Sequence, residues 1–418
     1  MIGTSAPRVA RCALLLTLLG ALAAIPSREQ SAHASVASLA AHGHAAAGPI
    51  VAVALHGDIY TVRADGSGRV RLTTIGQASS PQLSPDGRTV AYFVADRNQP
   101  AQGTPKGEVY MLPLGTPAGV SARPLDGTPT TQLDARLSWS PDSAHLAYFR
   151  GTALVLDSVR GRGTEAVLPP HGTTYAGDLA WSPDGIHMAV PLAVPLARRG
   201  MLGVPQTLLV AVGMPGSARW QQIAIRFPAG ALGLRNGNIP VSAPGNDPVW
   251  TPDGRGFLLS TQSVGAGPPD ITGIWHVGSG GGLAHLAIGT ASGVRRGPSA
   301  VGSSLGQATR FLLSPDRTLL ATDPSRGLWV ASADGGHGRF LPVAVPRLCV
   351  LAQFTWLRDG SGLAYVQTCR SGDAGLARMT LFSVRLNGSS PRQLYAAISA
   401  DQLAVDLGPA YRCVLCGG

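Results

Sequence analysis

The sequence predicts an all-β fold built from repeated antiparallel hairpins. Three observations carry this prediction: a composition rich in turn-forming residues, a short turn motif that recurs six times, and the apolar runs on both sides of each copy of the motif. The repeats must stack on one another, because a single thin sheet cannot bury its own faces.

The composition favours a folded β-protein over a disordered or helical chain. Hydrophobic residues make up 44% of the chain and charged residues only 13%, the opposite of what a disordered chain needs. The 54 glycines and 33 prolines would damage helix interiors, whereas a protein with many turns accommodates them. The net charge of +10 comes almost wholly from arginine, since Lys106 is the only lysine. This excess fits either an acidic partner or the codon usage of a GC-rich genome, and because the charges are scattered we expect no nucleic-acid partner.

The N-terminus has the order of parts found in secretory signal peptides. Arg8 and Arg11 precede the apolar run 13–25, and the small-residue site Ala32-His33-Ala34 follows it. The apolar run is shorter than the ~20 residues of an ordinary membrane span. We therefore predict a signal peptide over residues 1–34, a flexible linker over 35–49, and a secreted or cell-envelope location. The alternative is an uncleaved segment that anchors the protein to the membrane.

A Ser-Pro-Asp-Gly-like motif organises the rest of the chain. Its six copies align on their aspartates, with Leu or Trp three residues before and an apolar residue four residues after. Proline, aspartate and glycine are turn formers, so each copy predicts a hairpin whose aspartate is structural and binds no metal. The motif aspartates are Asp86, Asp142, Asp184, Asp253, Asp316 and Asp359.

Two further strands follow most copies, as in 58–62 with 69–72 and 327–330 with 338–341. One unit is therefore a four-stranded antiparallel meander, and radial stacking of such units gives a β-propeller. The chain from 50 to 412 is predicted to form this propeller.

The motifs resemble those of the TolB-like (WD-type) family of β-propeller repeats. The closest copy is Asp58-Ile59-Tyr60-Thr61-Val62-Arg63-Ala64-Asp65-Gly66 followed by Arg71-Leu72-Thr73, and the resemblance covers residues 50–400. It implies a binding scaffold, often located in the bacterial periplasm or outside the cell. The later copies depart from the pattern: Arg358 stands in place of proline in the sixth, and Arg317 stands in place of glycine in the fifth.

Blade number follows from counting the motifs and the two chain ends. Six motifs head six units, and residues 50–74 add a unit that lacks its first strand. Residues 401–407 can supply that strand, which would close a ring and remove free sheet edges. We favour seven blades, with six as the alternative.

The longest insertions between repeats mark the predicted ligand-binding surface. They lie at 95–107, 194–205, 227–247, 263–272 and 289–309, which the alternation of strand direction puts at one end of the blades, opposite the motif turns. The polar candidates in these loops are Asp96, Arg97, Lys106, Arg198, Arg199, Arg235, Asn236, Asn238, Asp270, Arg295 and Arg296.

The cysteines predict disulfides, as expected for an exported chain. Cys349 and Cys369 lie ten residues on either side of Asp359, so they face each other across the sixth hairpin and should be bridged. Cys413 and Cys416 form a C-x-x-C in the short tail 413–418, for which a structural bridge, a redox pair or half a zinc site are the alternatives.

No catalytic constellation emerges from the sequence. The one G-x-S-x-G, at 302–306, lies in a glycine-rich stretch and lacks the strand–turn–helix context of a nucleophile elbow. We predict no catalytic residues, no metal and no cofactor. The predicted function is a monomeric, exported, non-catalytic propeller that binds an envelope or extracellular protein or a glycan. The alternative is an enzyme with a site in the central channel, such as a polysaccharide lyase or hydrolase.

Overall fold

The residues that can be described form strands and turns. The structure, a computed structural model, describes residues 49–97, 105–115, 122–125, 129–131, 137–159, 163–175, 178–193, 207–217, 220–226, 248–261, 272–291, 294–296, 311–322, 327–333, 337–371, 376–398 and 403–405. Every regular element in these residues is a β-strand, as the sequence predicts. The strands form seven sheets, numbered here in chain order, and the neighbours in them are antiparallel with one exception.

The first three sheets follow the hairpin pattern. Sheet 1 contains β1 (Ile50–Leu55), β2 (Asp58–Arg63) and β3 (Val70–Arg71). Sheet 2 contains β4 (Ala78–Leu83), β5 (Thr89–Ala95), β6 (Lys106–Pro113), β7 (Arg123–Pro124) and β8 (Thr130–Thr131). Sheet 3 contains β9 (Ser138–Trp139), β10 (His145–Arg150), β11 (Ala153–Ser158) and β12 (Thr164–Val167).

Sheets 4 and 5 contain more strands than the four predicted. Sheet 4 contains β13 (Thr174–Tyr175), β14 (Ala180–Trp181), β15 (Met188–Ala193), β16 (Thr207–Gly213) and β17 (Gln221–Arg226). Sheet 5 contains β18 (Val249–Trp250), β19 (Gly256–Thr261), β20 (Thr272–Gly278), β22 (His285–Ala291) and β23 (Val294–Arg296). The remaining short strand, β21 (Gly282–Leu283), leaves sheet 5 and pairs in parallel with β17, so the outer edge of sheet 4 is covered by its neighbour.

The last two sheets are regular meanders. Sheet 6 contains β24 (Phe311–Leu313), β25 (Leu319–Thr322), β26 (Trp329–Ser332) and β27 (Arg339–Phe340). Sheet 7 contains β28 (Cys349–Trp356), β29 (Gly362–Ser371), β30 (Leu376–Arg385) and β31 (Arg392–Ile398). The final strand, β32 (Leu403–Val405), pairs antiparallel with β1 and so belongs to sheet 1. Residues from the 401–407 segment thus occupy the position that the sequence leaves vacant in the first unit.

The core consists of seven buried clusters, each lying between two sheets. Six of them lie between sheets that follow one another in the chain. Ala52 and Tyr92 belong to the cluster between sheets 1 and 2, and Phe354 and Leu363 belong to the cluster between sheets 6 and 7. The seventh packs Val53 of sheet 1 and its neighbours against residues of sheet 7. Each sheet is therefore buried on both faces by its neighbours, which is the condition that a thin meander needs in order to stay folded.

The two motif turns that have no glycine after the aspartate are as tight as the others. The residue that follows the motif aspartate has a positive φ angle in every copy. This angle is near +70° for the glycines of four copies and is +60° for both Ser143 and Arg317. The backbone amide of Arg317 donates to the carbonyl oxygen of Ser314 at 2.7 Å, as the amide of Gly87 does to Ser84 at 2.8 Å. Arg317 therefore accepts a left-handed conformation that usually costs a non-glycine residue about 1–2 kcal/mol.

The bridge predicted from the hairpin spacing is present. Cys349 and Cys369 are directly opposite each other on β28 and β29 and are joined by a disulfide. The predicted tail with Cys413 and Cys416, the signal peptide 1–34 and nearly all of the linker 35–49 lie outside the described residues.

Candidate functional site

The strand directions give the sheets two chemically different ends. The short-turn end carries the motif turns between first and second strands, such as 84–88, and the turns between third and fourth strands, such as 64–69. The loop end carries the connections between second and third strands and the connections from one sheet to the next. Most of the long insertions fall at the loop end, which is where the sequence places its ligand-binding surface.

At the short-turn end, each motif aspartate is engaged by its own turn. The Oδ1 atom of Asp184 accepts hydrogen bonds from the Ser182 hydroxyl and from the Ile186 amide, and these bonds hold the pKa of that carboxyl below its ordinary value. The hydroxyl of Ser182 in turn accepts the His187 amide at 2.8 Å. The Oδ1 atoms of the other motif aspartates accept the amide two residues further on in the same way. This network is turn chemistry of the Asx type, and it leaves the motif aspartates with a structural role.

The motif tryptophans hold neighbouring sheets together, a role that the repeat pattern alone does not reveal. The indole nitrogen of Trp250 in sheet 5 donates to the carbonyl oxygen of Ala180 in sheet 4 at 3.0 Å. Trp139, Trp181 and Trp356 donate to the equivalent carbonyl of the sheet before them. Leu83 and Leu313 stand at this position in sheets 2 and 6 and cannot donate. His145 and His187 lie beside the next tryptophan, with ring centroids 6.4 and 6.3 Å apart, so both histidines pack against the core.

The two arginines that depart from the motif reach across to other sheets. The guanidinium of Arg358 in sheet 7 donates to the carbonyl oxygen of Leu83 in sheet 2. Sheet 1 packs between sheets 7 and 2 and has no motif turn. Arg358 therefore extends across the place that a motif turn of sheet 1 would occupy. Arg317 of sheet 6 has its pKa lowered by burial, an effect opposed by attraction to Asp184 of sheet 4. Arg358 therefore connects two sheets that are not neighbours, and Arg317 lies close enough to Asp184 to be attracted by its charge.

At the loop end, the described candidates lie around the β5–β6 connection. The Asp96 amide donates to the carbonyl oxygen of Lys106 at 2.9 Å, and exposed Arg97 follows it. Gly107 is required at the base of this loop, because a Cβ there would lie 2.0 Å from the carbonyl oxygen of Val94. Asp96 and Lys106 thus lie next to each other at the base of this loop, with Arg97 following in the chain.

Two residues that the sequence reasoning missed extend this group. Glu108 and Tyr110 follow Lys106 at alternate positions of β6, so they share its face of the strand. The Tyr110 hydroxyl donates to Glu108, and burial together with the Glu108 and Asp96 charges raises the pKa of Tyr110. The buried hydroxyl of Tyr92, whose ring lies 6.0 Å from that of Tyr110, has no hydrogen-bond partner among the described residues. The period-two spacing after Lys106 is the signal that would have found this cluster.

Of the other candidate residues, two lie elsewhere than predicted and the rest are not described by the structure. Arg295 and Arg296 were expected in a loop, but they lie in β23, where they pair with Thr290 and Gly289. β23 pairs antiparallel with β22 and so adds a strand to sheet 5. Arg198, Arg199, Arg235, Asn236, Asn238 and Asp270 lie outside the described residues.

Neither a metal cluster nor a membrane-spanning helix is found in the part of the chain that the structure describes. No three His, Cys, Asp or Glu side chains there come together as ligands would, and no helix in it is long and apolar enough to cross a bilayer.

Comparisons with known proteins identify the architecture. No family model and no curated protein matches the sequence. Among solved structures, the oligogalacturonate lyase of Vibrio parahaemolyticus is similar with a TM-score of 0.53 at 12% identity, over 82% of this chain and 85% of that one. The β-propeller domain of the trilobed protease from Pyrococcus furiosus gives 0.50 at 13% identity, over 81% and 86%. A TolB structure from Agrobacterium tumefaciens gives 0.39 at 17% identity, over 70% and 88%.

The first two likenesses show the fold. The chain has the β-propeller architecture predicted from its repeats. Identities this low carry no activity from one protein to another.

Proposed function

We propose that the chain is an exported, seven-bladed β-propeller whose loop end binds a protein or glycan of the cell envelope, without catalysis. The seven-blade count is supported by the seven buried clusters, which link each sheet to the next and sheet 7 back to sheet 1. The pairing of β32 with β1 supports a ring closed by both chain ends.

The observation that carries the binding role is the contrast between the two ends. The turns of the short-turn end are compact, and their aspartates are engaged by local hydrogen bonds. The loop end carries the long insertions and the polar cluster of Asp96, Lys106, Glu108 and Tyr110. Side chains with both signs of charge and a partly buried phenol suit recognition by hydrogen bonds at the edge of a rigid scaffold.

Export is supported by the signal-like N-terminus and by the disulfide, since disulfides persist in oxidising compartments. If the signal is cleaved as proposed, the mature protein isolated from the native organism should begin at Ser35. An N-terminus at Met1 in the membrane fraction would favour the anchored alternative.

Site-specific photo-crosslinking in the native cell envelope tests the binding role. A photoreactive residue at Arg97 or Arg295, both at the loop end, should give a discrete adduct, and shortening residues 298–309 or 195–204 should reduce at least one of the two. The same residue at Arg88 or Thr318, at the short-turn end, is the matched control. Adducts from the control positions alone would refute the assignment of the binding end.

Incubation with polygalacturonate and other acidic polysaccharides tests the claim that the protein is not an enzyme. Release of unsaturated or reducing ends by the wild type, and its loss on replacing Tyr110 or Glu108, would overturn the non-catalytic proposal in favour of a lyase or hydrolase.

A further inference from the structure

The short-turn end of sheets 6, 7 and 1 carries a concentration of positive charge that the proposed function does not use. Five arginines, here called the arginine arc, lie at this end: Arg63, Arg69, Arg339, Arg385 and Arg392. Arg69, Arg339 and Arg392 are exposed, and Arg63 and Arg385 are partly exposed. The motif turns of sheets 6 and 7 add Arg317 and Arg358 at the same end.

Contacts between the sheets make the arc continuous. The guanidinium of Arg339 in sheet 6 donates to the carbonyl oxygen of Leu386 in sheet 7. Arg385 donates to the Ser361 hydroxyl at 2.9 Å within sheet 7. Arg69 of sheet 1 lies over the rings of Tyr60 and Tyr395, 6.0 and 5.4 Å from their centroids, and so joins sheet 1 to sheet 7.

In the described part of the chain, negative charge at this end is too sparse to neutralise the arc. Asp65 lies among its arginines: hydrogen bonds from Ser67 lower the pKa of its carboxyl, and the charges of Arg392 and Arg63 lower it further. Among the described residues, Asp316 and Asp359 of the motif turns are the other acids at this end of sheets 6, 7 and 1 that are not already paired. Of the residues that the structure describes, the five arginines of the arc therefore stand against three aspartates, which leaves a local positive field directed at solvent.

Exposed apolar side chains lie at this end, as they also do at the loop end, where Leu168, Leu348 and Val350 are exposed. Val70, beside Arg69, is 52% exposed. In sheet 4, Ile186 is 50% exposed at the tip of a motif turn, and Met214 is 44% exposed at the tip of the adjacent turn between third and fourth strands. Polar residues are the ordinary occupants of such tips, so apolar side chains there favour contact with a surface that is itself partly apolar.

The chain also enters the propeller at this end. The carbonyl oxygen of Pro49 accepts the amide of Ala64 at 2.8 Å, and Ile50 pairs with Arg63. Pro49 therefore lies beside the arc and not at the loop end.

We propose that the short-turn end docks on an anionic phospholipid surface, with the arginine arc at the headgroups and the apolar turn tips in the interfacial layer. Guanidinium groups pair bidentately with phosphate, and each basic residue near an anionic bilayer strengthens binding about fivefold. Apolar side chains at the same surface add the second signal that stable peripheral attachment needs. This orientation would leave the loop end facing away from the membrane, available to its own partner.

Vesicle co-sedimentation of the full chain tests the proposal. Phosphatidylcholine vesicles containing a quarter phosphatidylglycerol are compared with pure phosphatidylcholine vesicles, at low and high salt. Binding should favour the anionic vesicles and weaken with salt. The double variant Arg69→Glu/Arg392→Glu should bind the anionic vesicles at least about 25-fold more weakly, from two arginines at about fivefold each.

Two matched variants separate charge at this end from net charge and from misfolding. Arg97→Glu/Lys106→Glu makes the same change in net charge at the loop end and should leave vesicle binding within about twofold of wild type, because charges beyond a Debye length are screened. Arg69→Lys/Arg392→Lys keeps the charge and should also bind like wild type. The apolar run 13–25 is common to all the variants, so it cancels in the comparison.

Three results would overturn the proposal. Equal losses in the Arg69/Arg392 and Arg97/Lys106 variants would show that only net charge matters, and equal binding to neutral and anionic vesicles would show that the arc is not involved. Absence of vesicle binding together with arc-dependent binding of soluble polygalacturonate would identify an anionic polysaccharide as the partner of this surface instead. None of these results bears on the loop-end binding role, which the crosslinking experiment tests separately.

Discussion

Substitution of Trp250 tests how neighbouring sheets are held together. Trp250 is 3% exposed, donates to the carbonyl oxygen of Ala180 in the preceding sheet at 3.0 Å, and packs on Phe257 with ring centroids 4.4 Å apart. Replacing it with phenylalanine keeps an aromatic ring but leaves a partly buried carbonyl without its donor, which costs about 1–3 kcal/mol. The void left by the smaller ring costs about 1 kcal/mol more. We expect Trp250→Phe to lower the free energy of unfolding by about 3 kcal/mol.

Urea denaturation followed by far-UV circular dichroism measures this loss. The slope of the unfolding free energy against urea concentration should stay unchanged. Trp329→Phe is the matched control, because Trp329 is 1% exposed and no hydrogen bond from its indole to another sheet occurs among the described contacts. It should lose only about 1 kcal/mol, the cost of the void. If the two variants lose the same free energy, the hydrogen bond between sheets does not contribute to stability and the reasoning is wrong.

Three further predictions concern the turns and the disulfide. Replacing Cys349 and Cys369 by serine should cost about 3 kcal/mol, because the bridge closes a loop of 20 residues in the unfolded chain; a denaturation midpoint that reduction does not shift in the wild type would contradict this. Arg317→Gly should raise the free energy of unfolding by about 1 kcal/mol by relieving its positive φ, whereas a loss would mean that the contacts of the guanidinium outweigh the strain. Asp184 has a pKa below its ordinary value in the folded state, so its stabilising contribution is complete above the unfolded value of about 3.9 and is lost as pH falls towards the folded pKa. The urea midpoint should therefore fall as the pH is lowered from about 5 to about 3, and Asp184→Asn should reduce that fall; an unchanged fall would exclude this carboxyl as a source.

Local chemistry made most of the fold predictable. Each motif carries its own turn, with an aspartate and a residue at positive φ at fixed positions, and these interactions span only a few residues. The disulfide was predictable for the same reason, since its cysteines are equidistant from one turn. The strand near residue 401 was predictable because the first unit lacked one, although the pairing joins the two ends of the chain.

The candidate site was predictable only in part. Asp96 and Lys106 meet because they flank one hairpin connection. Glu108 and Tyr110 were missed because they belong to a strand, which the search for loop residues passed over. Arg295 and Arg296 were assigned to a loop because a short run containing glycine and arginine gives no signal for the extra strand β23.

The sequence by itself determined the repeating hairpin, the end at which the insertions fall, and the need for units to stack. Only the tertiary structure decided which side chains meet across different repeats. The indole of Trp250 finds the carbonyl of Ala180, Arg358 reaches Leu83, and Arg69 lies between Tyr60 and Tyr395. These contacts depend on how each sheet is rotated against the next, and no interaction within a single repeat fixes that rotation.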